Sequence, residues 1–206
     1  MSAIVTDHAS GRGATPAAIP LGGSPADLAP LVAAARQGGT AAAPAFAEIH
    51  RRFVRVVHGI ALARVGPDDA EDVTQEVFVR VHRSLTSLRD PAAFPAWICL
   101  VARRAAEDHA RSVRRRPKTA PLDDALATPA PPHRPDDGDS EFREHVLRCL
   151  AKLPDAYRET LTLRLAEDLS GPEIAARTGL TPDSVRVNLC RGMAMLRPML
   201  REEGRP

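Results

Sequence analysis

Four residues near the C-terminus carry the most legible chemistry. Arg186, Val187, Cys190 and Arg191 fall on two successive turns of a helix-patterned stretch, so their tips can reach one common surface. An arginine presented this way can donate two parallel hydrogen bonds to the edge of a guanine, or hold a phosphate. Val187 has no hydrogen-bonding group and can only fill space or press on a thymine methyl. A second set is denser in charge: Arg103, Arg104, Arg111, Arg114, Arg115 and Arg116 lie on and beyond one apolar, Trp-bearing segment. Such a run suits phosphate contact, and it equally suits the negative end of a helix dipole. A third set is acidic and amide-bearing: Glu71, Asp72, Gln75 and Glu76. Carboxylates in a first helical turn are expected of any helix, but Gln75 and Glu76 lie beyond that turn and need another reason.

The elements that must hold the first set are plain in residues 169–197, LSGPEIAARTGLTPDSVRVNLCRGMAMLR. A short helix over 172–178 turns Ile174 and Ala175 inward, and Gly179 stands just past its end. Leu180 follows as a buried plug. Thr181 is a favourable N-cap, Pro182 suits the first helical position, and Asp183 places charge in the first turn. Val185, Leu189, Met193 and Leu196 repeat at three- and four-residue spacing and define the inward face. The outward face carries Asp183, Val187, Cys190 and Arg191, flanked by Ser184 and Arg186. Two short helices, a Gly-containing turn and a basic outer face on the second make a helix-turn-helix.

The same periodicity runs through the rest of the chain. The composition is 44% hydrophobic but only 3% aromatic, so Ala and Leu must build the core, which favours helices over sheets. Helices are expected over 25–37, 44–64, 68–85 and about 92–116, with 86–91 as a loop containing Ser87, Arg89 and Asp90. Residues 117–139 hold six prolines and an acidic run with few large apolar residues, the composition of a flexible linker. Beyond it, Phe142, Val146, Cys149 and Leu150 define one more inward face and Tyr157, Leu161 and Leu165 another. The expected fold is therefore all-α: a disordered N-terminal extension over 1–24, one helical domain over 25–116, the Pro-rich linker over 117–139, and a second helical domain over 140–203.

Several function classes fit poorly. The three cysteines are far apart with no Cys-x-x-Cys, and the seven histidines are scattered, which argues against a disulfide framework or a metal site. No Glu-x-x-His pairing supports a carboxylate-bridged centre in a bundle, so neither catalytic residues nor a cofactor are expected. No window approaches membrane-spanning length and no signal-peptide pattern opens the chain, which points to the cytoplasm.

In order, DAEDVTQEVF, FPAWICLVARRAAEDHARSVRRR, a Pro-rich linker and LPDAYRETLTLRLAEDLSGPEIAARTGLTPDSVRVNLCRG resemble the extracytoplasmic-function group of sigma-70-type bacterial sigma factors. The likeness covers most of the chain after about residue 27. It implies two helical domains, sigma-2 and sigma-4, that bind core RNA polymerase and direct it to promoters. It places Asp72, Gln75 and Glu76 on the surface that docks on the clamp helices of the largest polymerase subunit. It places Ser87, Arg89, Arg103, Arg104, Asp108, Arg111, Arg114 and Arg115 where the group melts and reads the −10 element. Thr181, Ser184, Arg186, Val187, Cys190 and Arg191 fall where it meets the −35 element. The resemblance also makes promoter DNA a partner, and anti-sigma proteins are common partners in the group. Arg104 and Glu107 stand where the group often has Asn and an apolar residue, and Asn188 where Arg is frequent.

A second function shares the same C-terminal pattern: a free-standing helix-turn-helix regulator bound to duplex DNA as a symmetric dimer. The chain has no dimer-forming heptad, and the expected free state is a monomer.

Overall fold

The computed structural model describes residues 25–115 and 137–203. Eight α-helices account for nearly all of them: α1 (Pro25–Gln37), α2 (Ala42–Val65), α3 (Pro67–Ser84), α4 (Phe94–Arg115), α5 (Asp137–Ala151), α6 (Asp155–Leu165), α7 (Gly171–Thr178) and α8 (Pro182–Glu203). Two single 3-10 turns, Leu85–Ser87 and Pro91–Ala93, link α3 to α4. Among the described residues there is no strand, in keeping with a core built from Ala, Val and Leu.

The long helix α2 is the hub of the first half, packed on α1, α3 and α4. Ile49, Val56, Val57 and Ile60 of α2 are fully buried, as are Val73, Val77 and Val81 of α3 and Phe94 and Ile98 of α4. Burial of each such side chain contributes about 1.5–3 kcal/mol. Phe53 meets Phe94 edge-on with ring centroids 5.1 Å apart, which fixes α4 against α2. Gly66 turns the chain between α2 and α3 with φ of 87°, a backbone position that a residue with a Cβ rarely adopts. Its N–H donates to the Leu62 carbonyl at 3.2 Å, and Pro67 opens α3.

A smaller apolar core, Cys149, Leu150, Leu153, Leu161 and Leu196, joins α5, α6 and α8. Two inward assignments fail here: Phe142 is 61% exposed and Leu165 is 46% exposed. For Leu165 the reason is the position of α6. It packs on α8 on one side and on α2 on the other, so its buried arc is wider than one stripe and takes in Glu159, Thr160, Thr162 and Leu163. The large core of the first half continues through Leu163, Leu169, Ile174, Ala175 and Val185 of the second. The two helical groups are thus packed directly on each other, with α6 and α7 against α2 and α4.

Of the expected linker, residues 137–139 form the first turn of α5. The remainder, the N-terminal extension over 1–24 and Arg116 lie outside the described residues.

Candidate nucleic-acid interface

The helix-turn-helix is built by strong local signals. Ser170 and Glu173 form a reciprocal capping box at the start of α7: the Ser170 hydroxyl accepts from the Glu173 N–H, and the Glu173 carboxylate accepts from the Ser170 N–H at 2.9 Å. These hydrogen bonds, led by the Ser170 side chain, hold the Glu173 carboxyl below its ordinary 4.5. Gly179 closes α7 in the left-handed region, with φ of 74°. Thr181 then caps α8, its hydroxyl accepting from the Ser184 N–H at 3.2 Å.

Along α8, Val185 and Leu196 are buried, while Thr181, Ser184, Arg186, Val187, Cys190 and Arg191 are all exposed. The six assigned residues therefore lie at or near the N-terminal half of one helix with their side chains reaching solvent. Asp183 lies 3.4 Å from Arg186, an exposed pair that gives way to a better anion at little cost. Asn188 is turned inward and donates to the Thr160 hydroxyl at 3.2 Å, which ties α8 to α6. Its amide is thereby committed within the fold.

The second surface runs along α4. Arg104, Arg111, Arg114 and Arg115 are exposed, as are Ser87 and Arg89 in the turns before it. The Ser87 hydroxyl donates to the Ser84 carbonyl at 2.6 Å, and Asp90 caps the next turn by accepting from the Ala92 N–H at 2.9 Å. Trp97 is half-buried against the core beside Phe94, with centroids 5.8 Å apart, as its place on the apolar stripe implies. Asp108 accepts from Arg80 at 3.0 Å and is paired with Arg111. Arg80, then Arg111, holds the Asp108 carboxyl below its ordinary 3.8. Arg103 differs from its neighbours: it is partly buried and makes a two-pronged ion pair with Glu159 of α6, at 2.7 and 3.1 Å.

The third surface lies on α3. Asp72, Gln75 and Glu76 are exposed on the face opposite Val73, Val77 and Val81. Gln75 donates to Glu71 at 3.2 Å, and Glu76 pairs with Arg80 at 2.6 Å. Sequence reasoning missed Arg80, which connects Glu76 to Asp108. Its signal is the Glu-to-Arg spacing of four on one helix face. It also missed the Ser170–Glu173 box, legible as Ser-x-x-Glu, and the pairing of Glu159 with Arg64 and Arg103, which no local pattern announces.

These surfaces coincide with two family models. Residues 49–116 match Sigma-70 region 2, and residues 143–196 match Sigma-70 region 4. Every residue assigned above falls inside one of the two stretches. The chain is 35% identical over 160 residues to the RNA polymerase sigma factor CarQ of Myxococcus xanthus, an alignment covering 77% of this chain and 90% of CarQ. It is 31% identical over 151 residues to the ECF RNA polymerase sigma-E factor of Escherichia coli K12, covering 67% of this chain and 78% of that protein. The fold is similar to that of CnrH, solved in complex with the cytosolic domain of CnrY. The TM-score is 0.56 at 24% identity, over 85% of this chain and 97% of that one. No helix among the described residues is long and apolar enough to cross a membrane. The chain belongs to the extracytoplasmic-function (ECF) group of sigma-70-type RNA polymerase sigma factors and acts in promoter-directed transcription initiation.

Proposed function

We propose that the three exposed surfaces divide the work of initiation among themselves. The α3 face of Asp72, Gln75 and Glu76 docks on core RNA polymerase, at the clamp helices of its largest subunit. The α4 face, with Ser87 and Arg89, engages the −10 element. Opening that element unstacks bases at a cost of a few kcal/mol. Arg104, Arg111, Arg114 and Arg115 offset that cost by following the separated backbone. The outward face of α8 enters the major groove of the −35 element, where Arg186 and Arg191 reach base edges and Val187 makes apolar contact.

The observation that carries this reading is the sorting of side chains on α8. The residues that pack face the core, and each residue assigned to DNA is exposed. The units doing this work are the sigma-2 domain over 25–116 and the sigma-4 domain over 140–203, acting in the cytoplasm on a chain that is monomeric when free. CnrH was solved with the cytosolic domain of CnrY, and this supports an anti-sigma protein as a further partner of the present chain.

Core docking is tested by replacing Gln75 and Glu76 with Ala together. Both are exposed, so helicity and melting should hardly change. Affinity for purified core polymerase should fall by about 1–2 kcal/mol, the loss typical of interface polar groups that matter. Full core binding by the folded double variant would remove the α3 assignment.

A further inference from the structure

Glu159 is the one carboxylate of α6 that is buried, and both of its partners come from the other half of the chain. Arg103 of α4 grips it with two nitrogens, at 2.7 and 3.1 Å, and Arg64 of α2 adds a third contact at 3.0 Å. Its side chain is only 8% exposed and that of Arg64 only 13%. Around this triad the same two faces meet repeatedly. Arg158 of α6 donates to the Ala63 carbonyl at 3.3 Å, and His58 of α2 lies 2.6 Å from Glu167. The Cys99 thiol donates to the Arg177 carbonyl of α7 at 3.4 Å.

This arrangement conflicts with simultaneous use of both DNA-reading surfaces. Elements centred about 25 base pairs apart lie on the order of 85 Å apart along duplex DNA, at 3.4 Å per pair. Here α4 and α7 touch. The interface is also suited to parting. Separation returns three ionised groups to water, which recovers the hydration that their burial sacrificed.

We propose that Glu159, Arg64 and Arg103 form a latch that holds the free protein closed, with the second helical group docked on the first, and that the latch opens when the protein enters a promoter complex. Arg103 then has two successive partners, the Glu159 carboxylate in the closed chain and the −10 region in the open one. That second role rests on the promoter-reading proposal above; the latch itself rests only on the packing.

The three cysteines supply the test, because alkylation of the full chain by N-ethylmaleimide can be read at each one separately by peptide mass spectrometry. Cys190 is exposed and serves as the fast reference. Cys99 is buried at the α4–α7 contact and reports opening, and burial pushes its thiol up to about 12. Cys149 is buried in the separate core of α5, α6 and α8 and reports unfolding. In the wild type, Cys99 should react far more slowly than Cys190. Glu159→Gln, and independently Arg103→Gln, should raise the Cys99 rate tenfold or more and leave Cys149 slow. An unchanged Cys99 rate in both variants would overturn the latch, as would a wild-type Cys99 that reacts as fast as Cys190. A parallel rise at Cys149 in both variants would make Glu159 an ordinary stability element and would overturn it too. If Cys99 responds as expected while Arg103→Gln leaves −10 preference untouched, the latch stands and the DNA role of Arg103 falls.

Discussion

Arg80 of α3 donates to the Asp108 carboxylate of α4 at 3.0 Å, and the same guanidinium holds Glu76 at 2.6 Å. One side chain therefore connects a residue of the proposed polymerase-docking face to a residue of the proposed −10 face.

Both of its ion pairs are substantially exposed, with Arg80 37% exposed, so they contribute about 0–1 kcal/mol each to folding. Arg80→Ala should leave the melting temperature nearly unchanged. It should nonetheless alter two functional readouts together, core affinity and −10 preference, because it releases Glu76 and leaves Asp108 held by Arg111 alone. Asp108→Ala should alter only the second. Binding titrations with core polymerase, paired with transcription from −10 variants, separate these outcomes. If Arg80→Ala changes neither, the connection has no functional weight.

The His58–Glu167 pair predicts a pH dependence of stability. The hydrogen bond that His58 donates to Glu167 raises the His58 pKa above its ordinary 6.5, against an opposing effect of burial; Glu71 adds a smaller push upward. Arg55 stands 4.0 Å from the same Glu167. A histidine raised on folding stabilises fully below pH 6.5, and that contribution is lost as pH rises through the raised value. Thermal stability followed from pH 6 to 9 should show this decline, and His58→Gln should flatten it. An identical slope in the variant would assign the decline to another group.

Gly59 tests the α2–α6 contact from the side of sterics. In an ordinary helix interior, Gly→Ala stabilises by about 1 kcal/mol. Here a Cβ would stand 2.6 Å from Leu163 Cδ2 and 2.9 Å from Glu167 Cγ. Gly59→Ala should therefore destabilise, by about 1–3 kcal/mol as for other overpacked sites. A denaturant melt reads the sign directly, and stabilisation would mean that α6 does not press on α2 in solution.

The α8 arginines make a prediction about specificity. If Arg186 or Arg191 bonds bidentately to a guanine, its replacement by Ala should relax preference at one −35 position by about 1–3 kcal/mol. A phosphate contact behaves differently: activity falls on every template and the salt slope shrinks by about one unit. A −35 library transcribed at two salt concentrations distinguishes them. Uniform loss in both variants would make these arginines positioning residues.

Much of this was legible before any coordinates. The spacing of Val185, Leu189, Met193 and Leu196 fixed which face of α8 is free, because a helix in a two-layer contact buries a single stripe. Gly179 and Thr181 marked a real break and a real cap, since those positions demand a left-handed backbone and a side-chain acceptor. The failures cluster on elements with unforeseen neighbours. Leu165 was expected inside and Glu159 was overlooked, because α6 is packed on two sides and one of them belongs to the distant first half. Phe142 failed differently: it is 61% exposed and stands outside the smaller apolar core that joins α5, α6 and α8. Periodicity reports how many faces are apolar, but a buried carboxylate is specified by cations that are far away in sequence.

The most direct measurement is run-off transcription with purified core polymerase, this protein and a library of randomised upstream sequences. Transcripts should appear only when the protein is added, and the enriched templates should share two separate conserved blocks, the upstream one containing a guanine. No protein-dependent transcript, or enrichment of a single palindromic site, would contradict the assignment of α4 and α8 to two promoter elements and would favour a dimeric duplex-binding regulator.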